Sequence, residues 1–386
     1  MPRQAAPRVA CFDSATFWQR RSAAGQDSPG IKDAAPNCSE PQHLRGTMTT
    51  APTLASIASE TRDASEITGV TVDRIAQITR QMNVLGLNAR IEAARVGQQG
   101  AGFALVAEEV RKVSGQIGEI ANQLGETLKA RLSGLEQMVS QLSIAATGTR
   151  LVDCAFNAVD LIDRNLYERS CDVRWWATDA DLVAAAQDQD RERLRRAGQR
   201  LGVILDAYTV YSDIWLVAPD GRVLANGRPG RFPVTGAQVS GAHWFSPAMA
   251  LRDGDGFVAG DVEISAHLGG RATMAWATPV RAGGARTGAV IGLLVTQFDW
   301  APQAEAVLKS LRFCADDGEM RGYLVDAAGR VLAARGPGSE RVTQIALPAG
   351  QAKGWSAPGG GLMGFHRTEG FETWTGKGWF GVVERS

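Results

Sequence analysis

The chain has 386 residues, enough for two or more folded units at roughly 100 to 200 residues each. Its 41 Lys and Arg balance 41 Asp and Glu, and 44% of its residues are hydrophobic, which reads as a soluble globular protein and sets polyanion and nucleic-acid binding aside. The longest apolar run, Ala289 to Val295, falls far short of the roughly 20 residues that span a bilayer, and no apolar signal core opens the chain, so a cytoplasmic protein with no transmembrane span is expected.

Residues 1–47 mix Pro, Gly, Ser, Gln and Arg without a period and are expected to be a disordered leader, with Met48 a candidate start. From about Thr53 Gly and Pro become sparse and a seven-residue apolar rhythm begins. It is clearest at Phe103, Val106, Val110, Val113, Ile117, Ile120 and Leu124, with Ile75, Ile78, Met82, Leu85 and Ala89 upstream and a weaker run from Leu54 to Thr71. Three glycines in Gly97-Gln98-Gln99-Gly100-Ala101-Gly102 interrupt the rhythm and permit the backbone to reverse. A helical hairpin over 52–146 is predicted, with arms about Thr53 to Val96 and Phe103 to Ala146, each roughly 65 Å long at 1.5 Å per residue. Arms of that length leave apolar stripes uncovered. A second copy would cover them most simply, as a homodimer with a four-helix bundle in which Ala93, Ala94, Ala104 and Ala107 permit close approach.

Thr147-Gly148-Thr149 reads as a short joint, after which Leu151, Ala155, Val159, Ile162, Leu166 and Val173 recur at helical spacing to Trp175-Trp176. A charged stretch, Asp188 to Arg200, is read as a solvated helix face. Strand texture follows at Ile214 to Val217 and Arg222 to Ala225 around an Asp-Gly turn, then at Phe257 to Ile264, Ala272 to Val280 and Gly288 to Phe298. The strand, turn and strand pattern returns at Tyr323 to Leu332, and a last strand is expected in Gly378 to Val383, so two related modules are predicted, about 200–300 and 320–386. The fold class is therefore mixed: a long antiparallel coiled-coil hairpin followed by an α+β unit over 151–386 whose first helix is 151–176.

The segment Gln81 to Arg95 (QMNVLGLNARIEAAR) followed by Gly100 to Arg111 (GAGFALVAEEVR) resembles the signalling tip of methyl-accepting chemotaxis proteins. The likeness covers about 30 residues in continuous register at the predicted bend and extends as a looser heptad match over about 95. In that family the tip joins receptor dimers and docks a coupling protein and a histidine autokinase. The resemblance thus implies kinase control, with a trimer of dimers left open, and assigns partner contact to Leu87, Asn88, Glu92, Arg95, Gly97, Gly100 and Phe103. Asn88, Glu92 and Arg95 stand at i, i+4 and i+7 and so share one helical stripe. Gln98, Ala101 and Arg90 stand where the family usually has Glu, Arg and Ala, which redistributes charge near that surface. No paired Glu/Gln block of the methylated kind is found.

The C-terminal half resembles double Cache sensor domains, with PAS-like sheets, through its paired modules, Ala242-His243-Trp244-Phe245, Ala277-Thr278-Pro279-Val280 and Phe298-Asp299-Trp300. This implies a small-molecule ligand, for which Tyr208, Trp215, Trp244, Phe245, Asp261 and Trp276 are the candidates, most of these aromatics being read first as core, with Trp244 and Phe245 raised above that only by the family likeness. Amino-acid-sensing members carry an Arg two residues before the Trp-aromatic pair; here that position is Ala242, so a standard α-amino acid is not expected, and Asp261 is left to hold an amine. Asp299 is expected to cap the following helix or to orient the strand exit. The histidines His43, His243, His267 and His366 show no metal or catalytic spacing, the five cysteines form no cluster, and no nucleophile and base pair is visible, so no metal, no cofactor and no enzymatic activity are expected. The function implied is a chemoreceptor-like transducer; the alternative is a structural adaptor that joins receptor arrays without sensing.

Overall fold

The computed structural model describes residues 54–311 and 318–386; the leader expected over 1–47 lies outside them. Helix α1, Leu54–Arg95, and helix α2, Ala101–Trp176, run antiparallel through the tight turn Gly97–Gly100. Gly97 supplies the reversal at φ +67, a conformation that a Cβ disfavours. The two arms meet through small side chains. Gly86 faces the Ala107 carbonyl, Gly118 faces Thr79 and Gly125 faces Val72, while Ala93, Ala107, Ser114 and Ala121 are buried between them. Ala94, by contrast, is exposed. The apolar rhythm picked out in the sequence is largely not this contact: Val106, Val113, Ile117, Ile120 and Leu124 lie on the open side of α2, with Ile120 64% exposed.

The joint expected at Thr147-Gly148-Thr149 is not a break, because α2 continues unbroken for 76 residues from the bend to Trp176. Both threonine hydroxyls donate to the carbonyl four residues back, Thr147 to Ser143 at 2.9 Å and Thr149 to Ala145 at 3.0 Å, which keeps them inside the helical pattern. Two short helices follow, α3 (Ala180–Asp188) and α4 (Arg191–Ala207), each opened by an aspartate, Asp179 or Asp190, that accepts backbone N–H bonds.

The first sheet contains β1 (Tyr211–Val217), β2 (Val223–Asn226), β3 (Val258–Ser265), β4 (Arg271–Arg281) and β5 (Val290–Asp299), with helix α5 (Phe245–Met249) between β2 and β3. Helix α6, Trp300–Ser310, leads towards the second sheet, made of β6 (Met320–Val325), β7 (Val331–Arg335), β8 (Lys353–Ser356), β9 (Leu362–Arg367) and β10 (Phe380–Arg385). The strand orders are β2-β1-β5-β4-β3 and β7-β6-β10-β9-β8, the same antiparallel pattern twice.

The repetition extends to single hydrogen bonds. Gly221 and Gly329 occupy equivalent turns, Gln238 and Gln344 donate side-chain amides to the Asp220 and Ala328 carbonyls, and Val239 and Ile345 donate backbone N–H groups to Gly221 and Gly329. Each sheet turns one face to the helices. Ile214, Leu216, Met274, Trp276, Leu294 and Phe298 share a core with Leu166, Val173 and Leu201, which Leu324 and Val383 of the second sheet join. Trp215, Val217, Ala275 and Val295 face the other way beneath Trp244 and Phe245, and Tyr323, Phe365 and Val382 form the outer core of the second sheet. Alternation along each strand thus divides it between two cores.

Candidate functional site

Three places combine exposure, charge or unusual closeness, and α2 connects them. At the bend, Asn88, Glu92 and Arg95 lie exposed on α1, and Arg95 approaches Glu92 at 3.7 Å. Phe103 is 76% exposed and Leu87 is exposed as well, whereas Gly100 is buried so tightly that a Cβ there would stand 2.2 Å from the Ala93 carbonyl oxygen. Gly97 and Gly100 therefore build the turn, and the other predicted residues furnish its surface. Two ion pairs on one carboxylate join the arms just behind the tip: Arg90 donates to Glu108 at 2.9 Å and Arg111 donates to the same carboxylate at 3.0 Å. These guanidinium groups hold the Glu108 carboxyl below the usual carboxylate range.

The second place is the seat of the second sheet on α2. A Cβ on Gly148 would lie 2.3 Å from Cδ2 of Trp355, on Gly364 2.5 Å from the Leu151 carbonyl carbon, and on Gly381 2.4 Å from the Ala155 carbonyl oxygen. Helix and sheet backbones are thus in direct contact over the turns from Gly148 to Ala155. Further along, the loop between β9 and β10 is pinned to the helix by Asp163, which accepts from the Gly370 N–H at 2.7 Å and from Trp374 Nε1 at 2.9 Å. Burial pushes the Asp163 carboxyl above its ordinary value, outweighing those donors. Trp374 in turn lies 5.1 Å from Trp276 of β4, centroid to centroid, so the same loop touches both modules.

The third place is a cleft of about 300 Å³ on the outer face of the first sheet, lined among others by Trp215, Trp244, Asp261, Glu263, Gln297 and His243. Of the six ligand candidates, Trp215, Trp244 and Asp261 come together here. Phe245 is buried in the core beneath the cleft, while Trp276 and Tyr208 lie on the helix side of the sheet, Tyr208 against Trp176 at 5.0 Å. Asp261 already has a cation: Lys377, from the β9–β10 loop, reaches it at 2.7 Å and also donates to the Ala259 carbonyl at 3.3 Å. Asp299 makes no capping hydrogen bond to α6; it accepts from Arg271 at 2.5 Å instead.

Beneath the cleft, Asp213 is fully buried and accepts from Trp215 Nε1, Asn226 Nδ2 and the backbone N–H groups of Ile214, Gly227 and Arg228. Burial raises its carboxyl, and the donors fix the Trp215 ring that forms the cleft wall. On the helix side, Asp172 accepts from the Tyr211 hydroxyl at 2.7 Å and faces Arg169 at 3.2 Å, so the end of α2 is hydrogen-bonded to β1. The sequence reading missed Trp355, Gly364, Gly381, Asp163, Gln297 and Lys377. Only the glycines carried a signal, since an isolated Gly within a strand marks close backbone approach. Among the described residues no group of His, Cys, Asp and Glu could hold a metal ion, and no helix is long and apolar enough to cross a membrane.

Comparison with known proteins bears on these places unequally. Residues 37–191 match the family model described as the methyl-accepting chemotaxis protein signalling domain, a span that includes α1, the bend and the whole of α2. A probable methyl-accepting chemotaxis protein of Bacillus thuringiensis is 41% identical over 85 residues, 22% of this chain and 13% of that protein. The biofilm dispersion protein BdlA of Pseudomonas aeruginosa is 36% identical over 108 residues, 27% of this chain and 26% of its own. The chain therefore spans about a quarter or less of the length of these relatives. Among solved structures, the ligand-binding domain of the Pseudomonas fluorescens chemoreceptor CtaA in complex with L-serine is similar at 12% identity and TM-score 0.41, covering 62% of this chain and 96% of that one. The sensory domain of the Campylobacter jejuni chemoreceptor Tlp3 is similar at 12% identity and TM-score 0.46, covering 62% and 94%.

Proposed function

We propose that this chain, which carries a methyl-accepting chemotaxis protein signalling domain, is a cytoplasmic signal transducer that reads a small molecule with its C-terminal α+β unit over 151–386 and controls a chemotaxis-type histidine kinase with its hairpin. The carrying observation is the unbroken helix Ala101–Trp176, whose one end forms the bend and whose other end is gripped by both modules. A ligand that favours one seating of the modules over another biases that helix; one with equal affinity for both shifts nothing. At the bend, Leu87, Asn88, Glu92, Arg95 and Phe103 offer an exposed mixed surface to the kinase and its coupling protein. The open apolar side of α2, Val106 to Leu124, is covered by a second copy, giving a homodimer and a four-helix bundle. The chain acts through association and has no reaction of its own.

The test is a reconstitution. Autophosphorylation of a chemotaxis-type histidine kinase is measured with its coupling protein, with and without the full chain. A change of several-fold in phosphate incorporation is expected, and incorporation that stays the same at saturating chain refutes kinase control. Kinase recruitment without any response in a broad metabolite screen would favour the adaptor reading instead.

A further inference from the structure

The cleft on the first sheet carries more information than its position. Its carboxylates are Asp261 and Glu263, none of its lining side chains is Lys or Arg, and its walls include the indoles of Trp215 and Trp244. A carboxylate-bearing ligand would meet like charge there, and the lysine beside the cleft, Lys377, is already paired with Asp261. The cleft also presents a donor. Gln297 is 97% buried and lines the cleft; its carbonyl accepts from Thr273 at 3.3 Å, while its amide nitrogen has no hydrogen-bond partner among the described residues. That amide is not sealed off from the cleft, so a neutral oxygen entering there can accept from it in place of solvent. The two features together describe a molecule with a positive end for the carboxylates and a neutral oxygen for Gln297.

Lys377 supplies the rest. It belongs to the β9–β10 loop of the second module, yet its ammonium is bound to Asp261 of β3 in the first, beside the cleft. The neighbouring charged groups are Glu263, which His243 approaches at 3.4 Å, and His267 on the cleft wall. An incoming ammonium would therefore compete with Lys377 for one carboxylate. The same loop carries Gly370 and Trp374, both hydrogen-bonded to Asp163 of α2.

We propose that the cleft binds a small protonated amine bearing a neutral oxygen acceptor, such as an amino alcohol, whose ammonium displaces Lys377 from Asp261 and so frees the loop that grips α2. This rests on the sensing reading above and names its ligand class. Exchange of one cation for another at a single carboxylate keeps the charge of the site constant, and the indole walls accommodate the aliphatic part of the ligand and suit its ammonium.

The experiment is calorimetry on the full chain with leucinol, leucine, isoamylamine and isoamyl alcohol, which differ in carboxylate, oxygen and ammonium. Leucinol should bind saturably, and leucine and isoamyl alcohol at least about tenfold more weakly. Isoamylamine should fall between, because it leaves Gln297 unanswered. Glu263→Gln should weaken leucinol severalfold; Lys377→Met should strengthen it, an effect that a merely structural lysine would not produce. Amide hydrogen exchange in residues 368–379 should accelerate when leucinol binds.

Leucine binding as tightly as leucinol, or a Lys377→Met variant with unaltered affinity and an unaltered melting temperature, overturns the proposal. Silence from all four compounds overturns it too. The sensing reading falls separately, only if a thermal-shift screen that also covers carboxylates and sugars is silent.

Discussion

Trp355 of β8 lies across Gly148 of α2, where no side chain larger than hydrogen fits: a Cβ would come within 2.3 Å of the indole. The sheet therefore rests on the helix backbone itself. Gly148→Ala sets two effects against each other, a helix-propensity gain of about 1 kcal/mol and the cost of pushing the indole away, about 1 to 3 kcal/mol. A net loss of about 1 kcal/mol in chemical denaturation is expected. Gly134→Ala on the same helix, with nothing within 4 Å, should instead stabilise by about 0.5 to 1 kcal/mol. Equal responses at the two positions would show that the contact carries no energy.

Replacing Ile117 and Ile120 together by Asp should dissociate the proposed dimer while leaving helicity intact. Ile120 is 64% exposed on the open side of α2, and Ile117, 40% exposed, borders the contact with α1. Light scattering on the eluting protein reads the mass. A dimer that survives the double substitution would place the interface elsewhere.

At the bend, exchanging Glu92 and Arg95 for one another keeps an i,i+3 ion pair but reverses its pattern on the surface. Circular dichroism should not change. Kinase activation should fall at least about tenfold if this stripe is read by the partner, equivalent to about 1.4 kcal/mol of lost association.

Asp163 makes the loop contact sensitive to acid in a defined direction. Its carboxyl titrates above its unfolded value because burial disfavours the charge. A raised folded value contributes stability that is complete below the unfolded value near 3.8 and is lost as pH rises through the folded one. The difference in unfolding free energy between the wild type and Asp163→Asn should therefore move in favour of the wild type as pH falls from neutrality towards that range. A pH-independent difference would mean that the donors from Gly370 and Trp374 cancel the cost of burial.

What the sequence made legible follows from how local each signal is. The bend announced itself because three glycines interrupted a heptad rhythm, and the strands β1, β2, β6 and β7 because an Asp-Gly or Ala-Gly turn separated short apolar runs. Strands β8 and β9 were invisible: Lys353–Ser356 contains Gly354 and Trp355, and its strand character comes from pairing with β9. The joint at Gly148 was misjudged for a related reason, since a glycine that makes room for a distant indole looks the same in sequence as one that ends a helix. Trp215, Trp244 and Asp261 could be gathered in advance, whereas Tyr208 and Trp276 could not be assigned to the opposite face until strand register was known. Lys377 lies 116 positions beyond Asp261, and only the folded chain brings the two together.

Because α2 passes from bend to module without interruption, its length is fixed in angle as well as in distance. Gly148 stands about 70 Å along the axis from Ala101, and each residue inserted between them would turn the modules by about 100° relative to the tip. Additions of seven residues nearly restore the original facing, and additions of two or five present nearly the opposite side, so the rod behaves as a keyed shaft that accepts a whole heptad but not two or five extra residues.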